Sequence, residues 1–304
     1  MTFRPHLCFW FFVMIVAGCR GDPGSRSDSS NGTLPPVYPS SPLKNTNWDL
    51  DAGPVLIIST GSGDTAAVVM PEATDSTIAS FQAMPPPTAG LTFDLFSRDG
   101  KRASAATLSV LPTSDTKGEC YSWPRARLRT PHADWRVGFQ SGRVSAITLD
   151  SIESRSSADS AELAAALTRT AATLPTVSDP MFRGLPFRVR SAYTFRLDSV
   201  DVVIADIVRT VNEEASPKVE HLFIIAERRD AVGGRYEPGY YNRTAGREES
   251  VQATDVLAVI QLGATKRPAI VVSLEYDNGG KIGLIERKDT GQWGVVWKSA
   301  YTDC

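Results

Sequence analysis

Residues 255–299, DVLAVIQLGATKRPAIVVSLEYDNGGKIGLIERKDTGQWGVVWKS, decide the fold class. Apolar runs rich in Val, Ile and Leu are cut at short intervals by segments of Gly, Asn, Asp, Lys and Thr. Branched runs of this length, bounded by turn residues, read as antiparallel strands. The same texture reaches back to Phe182.

Part of the stretch has an internal echo. IIAERRDAVGGRY at 224–236 returns as GLIERKDTGQW at 283–293, and DVVIAD at 201–206 returns as DVLAVI at 255–260, at offsets of 59 and 54 residues. A unit of about 57 residues, several strands with a charged turn between apolar ones, would then occur twice. Chance likeness of two strand-turn-strand segments is the competing reading. The terminal copy resembles the FG-GAP or VCBS repeat that builds β-propeller blades, which implies a propeller-like C-terminal part. In that family a loop between the first two strands carries clustered carboxylates for calcium, which takes six to eight oxygen ligands. Here Gln261, Leu262, Gly263, Ala264, Thr265 and Lys266 occupy the matching positions. The resemblance therefore comes without its metal, and no metal or other cofactor is expected.

Upstream, SSADSAELAAALTRTAATLP carries Leu163, Leu167, Ala171 and Leu174 at helical spacing, with serines and Asp159 at its start and Pro175 at its end. This predicts one helix near 157–174, with an Ala-rich face suited to packing on a sheet, inside a connector spanning 151–181. From Trp48 to Asp150 strands return in PVLIIST, TAAVVMP, LTFDLFS and RVSAITLD. Gly61-Ser62-Gly63-Asp64 lacks a following Lys-Ser/Thr and leads into a strand-like run, so it reads as a hairpin turn and not a phosphate cradle. In DWRVGFQSGRVSAITLD, Trp135, Val137 and Phe139 are expected on one face, with a turn at Ser141-Gly142 and a returning strand. The fold expected is mainly β (α+β): a β-rich region at 48–150 and another at 182–304 with two related units, joined by one helix.

Residues 19–47 are Ser, Pro, Gly and Asn with little to bury, and read as a flexible tether. Before them, Arg4 precedes an apolar core from Leu7 to Ala17, too short to span a bilayer. That is the form of a secretory signal over residues 1–18. Val16-Ala17-Gly18-Cys19 resembles the bacterial lipobox, whose cysteine is acylated and becomes the mature amino terminus. The resemblance implies a protein held in the cell envelope by lipid on Cys19. Arg20, where an Asp would favour retention at the inner membrane, makes the outer membrane the favoured location.

Signal removal takes Cys8 with it and lipidation uses Cys19. Cys120 and Cys304 remain, and in an oxidising compartment a leftover pair suggests one disulfide. Two unpaired thiols are the alternative. The chain has 32 Lys and Arg against 34 Asp and Glu. Charges of both signs are interspersed, so no basic stripe for nucleic acid stands out.

Catalytic signals are sparse. His132 and His221 remain after signal removal, with no His or Cys spacing that suits zinc and no Gly-x-Ser-x-Gly elbow to nominate a nucleophile. Glu227, Glu275 and Glu286 each close an apolar run. They are expected as strand-end residues meeting water and forming cross-strand ion pairs, and VNEEASPKVE as a solvated loop. Arg235, Tyr236, Tyr240, Tyr241 and Arg243 form the best candidate binding surface, since aromatic residues and Arg are enriched at hot spots. The resulting expectation is a lipid-anchored envelope protein that binds or assembles with an envelope protein or glycan and does not catalyse. An envelope hydrolase of glycans or esters is the alternative.

Overall fold

Runs such as HLFIIAE and PAIVVSL are apolar without alternation because their strands are covered on both faces. The structure, a computed structural model, describes residues 49–53, 55–70, 88–111, 122–175, 180–212, 216–229, 234–276 and 279–302. It is mainly β, and every pairing between its strands is antiparallel. Cys19, Cys120 and Cys304 lie outside the described residues, as do the signal and the tether.

Six strands close a barrel in the order β1-β2-β5-β4-β3-β6: β1 (Leu56–Ser59), β2 (Thr65–Val68), β3 (Thr92–Ser97), β4 (Gly100–Leu111), β5 (Arg125–Leu128) and β6 (Val137–Gln140). Its interior holds Ile57, Val68, Phe93, Leu95, Ala126 and Trp135. The space is tight: a Cβ on Gly138 would come within 2.7 Å of Ile57 and 2.9 Å of Leu95.

The next strand, β7 (Val144–Ile147), leaves the barrel. The expected hairpin of β6 and β7 is replaced by a crossing, because β7 pairs with β13 of a separate sheet. Asp94 of β3 grips the turn where this happens: its carboxylate accepts from Ser141 Oγ at 2.8 Å and Gly142 N at 3.2 Å, and also binds Ser104 and Lys101. Gly142 has φ +78°, a left-handed geometry that glycine adopts freely. The aromatic stripe is likewise split. Trp135, before β6 begins, faces the barrel interior, whereas Val137 and Phe139 face outward onto the neighbouring sheet.

Two five-stranded sheets follow. One has the order β16-β15-β14-β13-β7, with β13 (Ala253–Leu262), β14 (Arg267–Tyr276), β15 (Gly279–Asp289) and β16 (Gln292–Lys298). The other has the order β12-β11-β10-β9-β8, with β8 (Asp150–Ser151), β9 (Arg188–Leu197), β10 (Val200–Val211), β11 (Lys218–Arg228) and β12 (Glu237–Arg247). Ile260, Leu262, Val271, Leu284 and Trp297 of the first sheet pack on the outside of the barrel, and its other face, with Val259, Ile270 and Ile285, packs on Val202, Ile204, Phe223 and Ile225 of the second.

The far face of the second sheet is covered by α1 (Ser157–Thr173) through Leu163, Leu167 and Ala171. Ser156 caps this helix by accepting from Asp159 N. The described residues thus form layers in the order barrel, sheet, sheet, helix, within one compact unit.

Strands β13–β16 form a four-stranded antiparallel meander. They are stacked face to face on the second sheet through a shared core, not set radially. The Glu-Arg pairs 227–228 and 286–287 fall on the third strands of the meanders β9–β12 and β13–β16. The other echoed fragment falls on a second strand, β10, and a first strand, β13.

Candidate functional site

Arg235, Tyr236, Tyr240, Tyr241 and Arg243, expected as one surface, are divided: alternation along β12 turns Tyr240 to the face opposite Tyr241 and Arg243, and Tyr236 and Arg243 are buried. Tyr240 points between the sheets and meets Phe223 edge-on, and burial pushes its phenol pKa up. Arg243 points to the helix side and is 5% exposed, donating to Glu220 at 2.9 Å. Glu220 also accepts from Arg209, whose guanidinium lies 4.7 Å from the Phe187 ring centroid. Glu220, expected in a solvated loop, is therefore a buried anchor. Tyr241 remains exposed at 42%.

Arg235 and Tyr236 line a cleft of about 1010 Å³ between α1 and the start of β12, with Arg155, Glu162, Arg169 and Glu237. Tyr236 is itself buried, with Arg228 stacked 4.8 Å from its ring centroid. Burial raises its phenol pKa against the pull of that guanidinium. Its ring is a wall and not a platform.

Of the carboxylates that close apolar runs, Glu275 is exposed as expected, whereas Glu227 and Glu286 are structural. Glu227, expected at a water-facing strand end, is 3% exposed. It accepts two bonds from Arg287, both at 2.7 Å, one from Trp293 Nε1 at 2.8 Å and one from Gly291 N at 2.9 Å. Burial alone would raise its pKa, but these donors outweigh that and hold the carboxyl below its ordinary value. The pair joins β11 to β15, so it ties the two sheets together. Glu286, also buried, pairs with Arg267 at 2.7 Å. Arg267 reaches Asp49 and Asp51 as well, and a guanidinium thus stands among three carboxylates beside the loop compared above with a calcium site. Among the described residues no group of three or more His, Cys, Asp or Glu is arranged to hold a metal ion.

His221 holds Asp206 through Nδ1, 3.1 Å from each carboxylate oxygen, and Arg190 pairs with the same Asp206.

His132 and the Gly61-Asp64 turn, read separately in the sequence, meet in a second cleft of about 1010 Å³ at the mouth of the barrel. The turn is the β1–β2 hairpin expected. His132 N donates to Gly63 O at 2.9 Å, and a Cβ on Gly63 would sit 3.2 Å from His132 O, so the two loops close on each other.

The opposite wall comes from Arg98 and Arg102, flanking the β3–β4 turn, from Arg136 and from Tyr193 of β9. Arg98 donates to Asp255 and, at 2.7 Å, to Val256 O, and its guanidinium lies 4.8 Å from the Tyr193 ring centroid. Arg136 meets the other oxygen of Asp255 at 3.1 Å, and Arg102 pairs with Asp99. Burial pushes the Tyr193 phenol up, against the Arg98 charge.

The sequence reading missed these arginines. The local string RDGKR reads as an ordinary charged turn, and the partner that fixes Arg98 lies 157 residues away.

Comparison with known proteins finds no matching family model, no matching curated protein and no matching solved structure.

Proposed function

We propose that this chain is a lipid-anchored cell-envelope protein, at the outer membrane where the organism has one, that binds an envelope partner and performs no chemistry on it. The sequence supports the anchor through Val16-Ala17-Gly18-Cys19 and the tether that follows. The observation that carries the binding role is the barrel-mouth cleft. Its three guanidiniums are held in place by Asp255 and Asp99 and keep donors to spare. Arg stays charged in proteins, so it orients a ligand well and serves poorly as an acid or base. The disulfide between Cys120 and Cys304 belongs to the same proposal.

Two experiments test it. Cys19→Ala should move the protein from the membrane fraction to the soluble fraction, and unchanged membrane association would remove the anchor. The full chain should leave generic esterase and glycosidase substrates untouched. Turnover that disappears in His132→Ala or His221→Ala would establish the hydrolase instead.

A further inference from the structure

Resting on that binding role, we propose that the barrel-mouth cleft is a saccharide site, built for a hydroxyl-rich ligand without strong charge. Each positive charge in its walls is matched: Arg98 and Arg136 share Asp255, Arg102 holds Asp99, and the carboxylates of Asp134 and Glu153 line the same space. A phosphate or polyanion would meet as many carboxylates as guanidiniums.

A sugar diol uses such a mixture well, since one hydroxyl can accept from a guanidinium while its neighbour donates to a carboxylate. Arg102 and Arg136 are 40% and 41% exposed, so their donors can be reached from solvent. The Asp99 carboxylate is exposed beside them.

The lip of the cleft adds hydroxyls. Thr60, Ser62 and Thr65 bond to one another across the β1–β2 turn, with Thr60 Oγ1 2.7 Å from Thr65 Oγ1. In the wall, Trp135 Nε1 and His132 Nε2 are buried and have no hydrogen-bond partner among the described residues. A mouth that offers guanidinium donors beside carboxylate acceptors suits a glycan better than an anion.

The test uses full-length protein in detergent, applied to a printed array of neutral and acidic oligosaccharides, with inorganic polyphosphate as the anion control. Binding to at least one neutral glycan is expected. It should weaken tenfold or more in Arg102→Gln and in Arg136→Gln, and disappear in Ser62→Trp, which crowds the mouth without touching an ion pair. Arg169→Gln, in the other cleft, should leave it unchanged. Circular dichroism of each variant should match the parent.

An array without bound glycan, glycan binding that none of the cleft variants alters, or polyphosphate binding lost in the arginine variants would overturn the saccharide assignment. A photo-crosslinking residue at position 102, used in intact membranes, separates the two levels. A protein adduct with a blank array overturns the sugar and leaves a binding module, whereas no adduct and a blank array overturn both.

Discussion

The barrel and the stacked sheets solve the same problem with opposite means. Four of the barrel strands have only four residues each, and the barrel protects them by closing, so no edge is left. Its core is one thin plug, and space inside is so short that position 138 holds a glycine. The sheets use strands of 7 to 12 residues in both meanders, bury them on two faces, and do not close on themselves. Both regions bury charge: Asp94 in the barrel, and Glu227 and the Arg209, Glu220, Arg243 cluster in the sheets. The barrel-mouth cleft, proposed above as a binding site, sits where the barrel meets the first sheet, with Arg98 of the barrel side clasping Asp255.

The largest loss of stability is expected at Glu227. Glu227→Ala strands the Arg287 guanidinium between the sheets and should cost about 3–5 kcal/mol, the range for breaking a buried ion pair. Chemical denaturation measures it, and a loss below about 1 kcal/mol would show that the sheets do not depend on this tie.

In the barrel, Gly138→Ala forces a methyl group onto Ile57 and Leu95 and should cost about 1–3 kcal/mol by overpacking. Both variants should still unfold in one transition, followed in parallel by near- and far-UV circular dichroism, because the barrel and first sheet share a core. Separate transitions for barrel and sheets would contradict that.

Asp94 provides a pH-dependent version of the same comparison. Burial would raise its carboxyl pKa, but Lys101, the hydroxyls of Ser104 and Ser141 and the Gly142 amide outweigh it and hold the value at about 2. The lowered folded-state value means that its contribution is complete above the ordinary aspartate range and drains away as pH falls from about 4 through 2. Asp94→Asn should lose about 2 kcal/mol at neutral pH and show a flatter loss of stability below pH 4 than the parent. An unchanged acid limb in urea titrations would discard the clamp. The smallest effect is expected at the helix, where Ser156→Ala removes the cap and should cost about 1 kcal/mol in a thermal melt.

What could be read in the sequence follows from where each signal is stored. The helix was legible to within a residue, because its cap, its seam of Leu163, Leu167 and Ala171 and its stop at Pro175 are all local. The β class was legible for the same reason, and so was the turn at Gly61-Gly63. The crossing at Ser141-Gly142 was not, since hairpin and crossing share the same turn residues and Asp94, which holds the turn, lies 47 residues upstream. Glu220 and Glu227 looked exposed because a charged residue beside an apolar run carries no mark of its partner. Those partners, Arg209, Arg243 and Arg287, lie on other strands. The expected tyrosine and arginine surface is divided because Tyr240 turns between the sheets while Tyr236 and Arg243 are buried on the helix side, and none of this burial is marked in the local string.

The functional account stands on residues 14–22, MIVAGCRGD, before it stands on any cleft. The most direct measurement is the intact mass of the protein extracted from membranes, with and without reductant. The account predicts a chain beginning at Cys19, heavier by its acyl groups, that gains two hydrogens on reduction as the Cys120 to Cys304 bond opens. An unmodified chain that retains Met1 would contradict the anchor and the envelope location together.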